Sequence, residues 1–219
     1  MQKLFVTVML TSFLVNGNFI GPEPTSKLQD KVSITIRDGS VGFIVDADTN
    51  QAIGTGFVAM SARQVVTCDH VAKARKNLIY AGVGQTVDRS HRLTLKTSMP
   101  DVDIAVFSTD EDVCDTPLVL GDIRGMSAGD RIIYLGFKVE AKSIEANTST
   151  VIAVVTSRDS GVEYMDFVGV GKPGFSGGPV FNGKGNVVAL MREAFTKPTS
   201  TGAILINRAF STRPLMKQN

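Results

Sequence analysis

The chain has 219 residues, with 23 basic and 21 acidic side chains and a net charge of +2. Its 43% hydrophobic and 20% charged content suits one large domain, or two small packed ones, with a sizeable core. The near-balanced charge gives no electrostatic case for a nucleic-acid partner, no apolar run is long enough to span a bilayer, and there is no internal repeat, heptad pattern or long low-complexity tract.

At the N-terminus, Lys3 precedes an apolar stretch from Leu4 to Leu10 that continues to Val15, and Val15-Asn16-Gly17 offers small residues for cleavage. Residues 1–17 therefore read as a secretory signal peptide, the alternative being a helix or strand packed on the domain. Residues 18–27, with Gly21-Pro22-Glu23-Pro24, read as a linker. A cleaved leader implies a secreted or periplasmic protein; without one the chain is cytoplasmic.

From Lys31 the pattern is strand-like. Val32 to Ile36 alternates apolar and polar, as a half-buried strand does. Val41 to Val45 and Ala52 to Met60 follow, separated by polar turns. Gly54 and Gly56 in the latter suggest a bulge or a close approach of backbones. Gln64 to Thr67 is a short strand that leads to Cys68-Asp69-His70, and Val71 to Arg75 reads as one helical turn. Further strands are expected at 78–81, 93–97, 104–107, 118–120, 131–137, 149–156 and 163–168. Asn182-Gly183-Lys184-Gly185, between Pro179–Phe181 and Asn186–Met191, is a hairpin signal. A last strand spans 202–206, and Asn207 to Pro214 ends in a short helix or trails off. Many short strands with Gly/Asp/Asn turns and no long helical pattern indicate an all-β sandwich or barrel. A break near Asp115-Thr116-Pro117 divides it into halves, 28–115 and 116–212, with a tail at 213–219. Cys68 and Cys114 are too few for a disulfide scaffold and read as two free or buried thiols.

The chemistry gathers at Gly174-Phe175-Ser176-Gly177-Gly178-Pro179. Glycines leave main-chain N–H groups uncovered, and neighbouring N–H groups in such a turn can converge on one anionic oxygen. A serine beside that pocket is a candidate nucleophile. It needs a base, and the base needs a carboxylate to hold its tautomer. The two histidines differ in setting: His70 ends an apolar strand, whereas His91 lies in a polar turn-like stretch. Asp103 precedes the apolar strand Ile104-Ala105-Val106. One candidate for each role thus stands at the end of a strand.

These segments resemble the trypsin-like, chymotrypsin-fold serine peptidases, and most of all their bacterial HtrA/Deg branch. Val65 to Val71 is similar to the family's histidine box, Asp103 to Val106 to its aspartate box, and Gly174 to Pro179 to its serine box. Gly54 to Val58 and Gly202 to Ile204 are similar to flanking strands. The resemblance implies two six-stranded antiparallel β-barrels with the active site in the cleft between them. It implies His70 as base, Asp103 as its orienting group and Ser176 as nucleophile, with the backbone N–H groups of Gly174 and Ser176 as the oxyanion hole. It implies a polypeptide substrate and no cofactor or metal. Phe175 stands where animal trypsins carry the aspartate used in zymogen activation, so the serine loop needs another anchor, for which Phe175 packing into the second barrel is the candidate. No PDZ-like domain is expected after residue 210. Val170 falls at the family's primary-pocket base and implies cleavage after small or medium apolar residues. The competing readings are a catalytically silent, peptide-binding relative and a phosphate-cradling loop at 169–174. The second fails the P-loop pattern because Pro173, not Ser or Thr, follows Lys172.

Overall fold

The computed structural model describes residues 6–7, 34–84, 90–138, 143–200 and 202–217. The signal-peptide and linker readings lie outside these residues, apart from the two-residue strand β1 (Val6–Thr7), which pairs with β2 (Thr35–Ile36).

The C-terminal half closes into a six-stranded antiparallel barrel, and its order runs against the chain only where a crossover is needed. Its strands are β10 (Arg131–Lys138), β11 (Ser143–Thr156), β12 (Glu163–Val168), β13 (Pro179–Phe181), β14 (Val187–Thr199) and β15 (Gly202–Ser211). The order β10-β11-β12-β15-β14-β13 returns to β10 through the pairs Ile133–Phe181 and Tyr134–Val180. Inside it, Tyr134, Met165, Phe167, Phe175 and Val188 are fully or almost fully buried. Closure leaves this half no exposed sheet edge in the paired region.

The N-terminal half is an antiparallel sheet of seven strands, curled but open. Its strands are β3 (Val41–Asp46), β4 (Gln51–Val58), β5 (Gln64–Thr67), β6 (Leu78–Gly82), β7 (His91–Arg92), β8 (Thr94–Met99) and β9 (Ile104–Ser108). In the order β7-β6-β3-β4-β5-β9-β8, the outermost strands are consecutive in sequence but unpaired. The reason lies at Leu93. It is buried, and its N–H donates to the Leu78 carbonyl at 2.9 Å, so the chain leaves β6 there to run along β9. The expected six strands and full closure therefore hold for the second half, and the first half is a half-barrel with one strand more.

The chain crosses between halves over residues 109–130. Two isolated parallel bridges mark the passage, Leu118 with Ala59 and Leu120 with Val187, where a strand at 118–120 was expected. One hydrophobic core runs across the junction: Phe57, Val66 and Ile104 of the first half share a cluster with Ile133, Leu135 and Leu190 of the second. The chain then ends on a short helix, α2 (Arg213–Met216), whose Leu215 is fully buried. Cys68 and Cys114 are both buried and unbridged, as expected.

Candidate active site

His70 sits in the first turn of α1 (Asp69–Lys73), directly after β5. β5 is flanked by β4 and β9, so its C-terminal end lies beside the start of β9. Asp103 stands there. A 3-10 turn, Pro100–Val102, delivers the chain into Asp103 with a left-handed backbone, φ +50°. Aspartate visits this region more readily than most side chains. Its cost, of order 1–2 kcal/mol, is met by the bonds that hold the residue in place.

Those bonds join Asp103 to His70 twice. The His70 N–H donates to Asp103 Oδ1 at 2.9 Å, and the His70 Nδ1 lies 2.8 Å from Oδ2. An ionised carboxylate only accepts, so the ring's Nδ1 carries the proton and Nε2 is left free to accept one. The His70 side chain is half exposed and that of Asp103 almost enclosed. Burial by itself pushes the Asp103 carboxyl up. The His70 ring and main-chain hydrogen bonds, with the charges of His70 and Arg192, outweigh it and hold the carboxyl below its ordinary value.

A stability effect follows, with its sign. The folded-state value is depressed, so the contribution of Asp103 is full above the unfolded value of ~3.9 and is lost as pH falls through the folded one. The stability gap between the wild-type chain and Asp103→Asn is therefore expected to be widest near neutral pH, to shrink as pH falls below the unfolded value of ~3.9, and to close only below the depressed folded value, where the wild-type side chain is itself neutral. Urea unfolding of both proteins at pH 6 and pH 3 measures this, and a gap that is constant with pH contradicts it.

The serine loop reaches this pair across the junction. Thr55, in the middle of β4 and fully buried, is the clasp. Its N–H donates to the Ser176 carbonyl at 2.9 Å, and its hydroxyl donates to the Gly174 carbonyl at 2.6 Å. The same hydroxyl accepts the Phe137 N–H of β10 at 2.8 Å. Gly54 beside it lets the Ser176 carbonyl approach: a Cβ at residue 54 would stand 3.2 Å from that oxygen and 2.8 Å from Val71. This is the close approach expected of the two glycines. Gly177 has φ +86°, and a side chain there would run into the Thr55 carbonyl and the Thr67 hydroxyl. On its other side the loop is anchored by Phe175, which is 2% exposed and packs edge-on against Tyr134 with ring centroids 6.3 Å apart. Gly136 makes room for that ring.

Ser176 is partly buried, and its hydroxyl donates to the Arg192 carbonyl of β14 at 3.1 Å. Among the described residues no hydrogen bond joins it to the His70 ring. His70 and Asp103 are thus in direct contact, and the Ser176 hydroxyl is turned to β14 of the other half. The N–H groups of Gly174 and Ser176 meet no acceptor among the described residues, whereas those of Phe175, Gly177 and Gly178 are all bonded. Beside Ser176 lies a cavity of about 290 Å³, walled by Gly171–Pro173 on one side and Met191–Ala194 on the other. Val170 does not line it. Its N–H donates to the Tyr134 hydroxyl at 3.0 Å, which ties this stretch to the barrel interior, and the side chain stays 44% exposed.

Two residues of this site escaped the sequence reading. Thr55 carried a faint signal, a hydroxyl between two glycines in an apolar strand. Arg192 carried another, a charge that ends the apolar run Val187–Met191. Its Nε lies 3.1 Å from Asp103 Oδ2. Cys68 is also close: its thiol donates to the Met191 carbonyl at 3.1 Å. Its sulfur, the His70 ring and the Asp103 carboxylate each offer a ligand atom within 4.8 Å of the others. A cation there would meet the Arg192 guanidinium. It would also need a thiolate, while burial and the Asp103 charge push the thiol far up.

Comparison with known proteins bears on this arrangement. A family model described as a trypsin-like peptidase domain matches residues 54–190. A protein of Halomonas elongata named as a DegP-like periplasmic serine endoprotease is 26% identical over 153 residues, 69% of this chain and 31% of that relative. The chain thus spans about a third of the length of that curated relative. Among solved structures, the HtrA-type protease AlgW with a decapeptide superposes with a TM-score of 0.67 at 16% identity, over 82% of this chain and 63% of that one. The MamO protease domain from Magnetospirillum magneticum superposes at 0.65 and 13% identity, over 83% and 96%. At such identities the two structures speak for the fold.

Proposed function

Given that the chain belongs to the trypsin-like peptidase family, we propose that it is a serine endopeptidase acting on polypeptides through Ser176, His70 and Asp103. Its place is outside the cytoplasm, in keeping with the periplasmic name of its curated relative. In this reading the Ser176 hydroxyl leaves the Arg192 carbonyl for His70 Nε2 as substrate enters. His70 takes the serine proton while Oγ bonds the scissile carbonyl carbon. The same proton goes to the leaving amine as the C–N bond breaks, leaving an acyl-enzyme that water then hydrolyses. The N–H groups of Gly174 and Ser176 receive the oxyanion. The observation that carries the proposal is the 2.8 Å bond from His70 Nδ1 to Asp103 Oδ2, which leaves Nε2 as the acceptor.

A second reading, a silent peptide-binding relative, draws on the Ser176 hydroxyl being bonded to Arg192 and not to His70. A fluorophosphonate probe separates the two. Stoichiometric labelling of Ser176, absent from Ser176→Ala, is expected of a peptidase, and no labelling of a folded wild-type protein is expected of a binder.

The substrate preference, small or medium apolar residues before the scissile bond, now rests on the cavity walls. The walls close in where Gly171 and Ala194 meet, so tightly that a Cβ at residue 171 would collide with Ala194, and among the lining residues Lys172 and Arg192 put two cations against the single anion of Glu193. A buried Lys or Arg of the substrate would meet like charge without a free partner. In a peptide library, cleavage after Ala, Val or Leu is expected to exceed cleavage after Lys or Arg by at least about tenfold, the equivalent of ~1.4 kcal/mol. Equal rates would remove the argument.

A further inference from the structure

The Asp103 carboxylate receives more than the proposed base. Its Oδ1 accepts the His70 N–H at 2.9 Å. Its Oδ2 is shared by His70 Nδ1 at 2.8 Å and Arg192 Nε at 3.1 Å. Arg192 comes from β14, in the opposite half of the molecule. Its guanidinium is held on its remaining sides as well: it stacks 4.7 Å from the centroid of the Phe210 ring, and its Nη1 lies 3.5 Å from the Glu193 carboxylate. The main-chain oxygen of the same residue takes the Ser176 hydroxyl. One side chain, fixed by stacking and by an ion pair, thus ends on the oxygen that faces the His70 ring.

We propose that Arg192 is a positioning residue of this site, whose guanidinium holds the Asp103 carboxylate toward the His70 ring and whose charge moderates that carboxylate's hold on the protonated ring. The inference rests on the peptidase reading and adds a role that reading does not require. A carboxylate with a single partner turns freely about its Cβ–Cγ bond. One held at both oxygens by donors from two separate elements cannot turn without breaking a charge-assisted bond. Asp103 is 7% exposed, so water is poorly placed to replace a lost donor.

The charge acts separately from the geometry. Asp103 favours the imidazolium, and a cation on the same oxygen opposes it. The groups around the ring among the described residues are Asp103, Arg192 with Glu193, and the Cys68 thiol. On the ring's own helix is Asp69, bonded by Ser98 and paired with Lys73 at 2.6 Å. The buried thiol stays neutral and Lys73 offsets Asp69, so Arg192 is the charge that tempers Asp103. Arginine keeps its protons at any working pH and takes no part in the transfer itself.

The test compares Arg192→Ala, Arg192→Gln and Arg192→Lys in the full chain, with two readouts. One is kcat and KM on a cleaved peptide. The other is the NMR titration of the His70 ring, with His91 as an internal reference. For Arg192→Ala, kcat is expected to fall about 10- to 100-fold, more than KM changes, as for a small misplacement of a reacting group. The His70 midpoint is expected to rise by about half a pH unit or more while His91 stays put. Arg192→Gln returns a donor without charge, so it should recover part of kcat and keep the raised midpoint. Arg192→Lys returns the charge without the planar fork that lies on Phe210, so it should restore the midpoint and only part of kcat. An unmoved His70 midpoint in folded Arg192→Ala and Arg192→Gln overturns the proposal, as does a kcat within twofold of wild type. If the wild-type chain neither cleaves nor labels, the peptidase reading fails by itself, and the titration still decides whether Arg192 acts on His70.

Discussion

Ser176→Ala and His70→Ala are each expected to lower turnover by about 10⁴-fold or more, and the double variant by little beyond either one. In the proposed mechanism the two residues form a single device. Without Oγ no acyl-enzyme can form, and without the imidazole the hydroxyl keeps its proton at neutral pH and is a weak nucleophile. What survives comes from binding and the oxyanion donors alone, so removing the second partner takes away almost nothing more. The fold should tolerate both changes. The Ser176 hydroxyl makes one hydrogen bond, to a backbone carbonyl, and the His70 side chain is half exposed. Steady-state cleavage, with unfolding midpoints as the control, measures this. Independent, multiplying losses in the two single variants would show that the residues do not work as one unit.

Phe175→Ala is expected to cost about 3–5 kcal/mol of stability and to lose activity even where the chain remains folded. Its ring is 2% exposed in the second barrel, against Tyr134 and over Gly136. Truncating it leaves a cavity whose lining cannot collapse fully, because Gly136, which faces the ring, is fixed in strand backbone. The neighbouring carbonyls are bound elsewhere: Gly174 to the Thr55 hydroxyl and Ser176 to the Thr55 N–H. With its apolar anchor gone, the loop would be held only by hydrogen bonds to Thr55 and to β14, and the free N–H groups of Gly174 and Ser176 would lose their fixed direction. Preorganisation of such donors is where most of their effect lies. Gly136→Ala should act from the other side, by pushing the ring out of its seat. Urea unfolding gives the stability change. Fluorophosphonate labelling at a denaturant-free temperature where the variant is folded gives the loop's competence. Full-rate labelling of a destabilised Phe175→Ala would show that the ring supports the barrel and not the site.

His70, Asp103 and Ser176 could be singled out from type and setting, because each lies in a turn or loop beside an apolar strand. That is local information. The Phe175 anchor was likewise legible, since a large apolar side chain in a glycine loop has to be buried somewhere. The surroundings of Val170 are a different matter. Counting back from Ser176 assumes the backbone path of relatives, but here a hydrogen bond from the Val170 N–H to Tyr134, 36 residues away, decides where that backbone lies. Strand lengths were also under-read. β14 runs on through Arg192-Glu193-Ala194 to Thr199, because its pairing with β15 supplies partners that its own polar residues do not advertise.

By itself, then, the amino-acid order determined an all-β chain in two halves, its strands and its hairpin, and it singled out the three side chains proposed for acyl-transfer chemistry. Those follow from periodicity, turn residues and functional-group chemistry, all of which act over a few neighbours. Tertiary structure alone decided that the first half stays an open seven-stranded sheet, that Thr55 clasps the serine loop, and that Arg192 of β14 ends on Asp103, 89 residues earlier in the chain. Each of these depends on which strands lie side by side, and that is set by burying one continuous core across both halves.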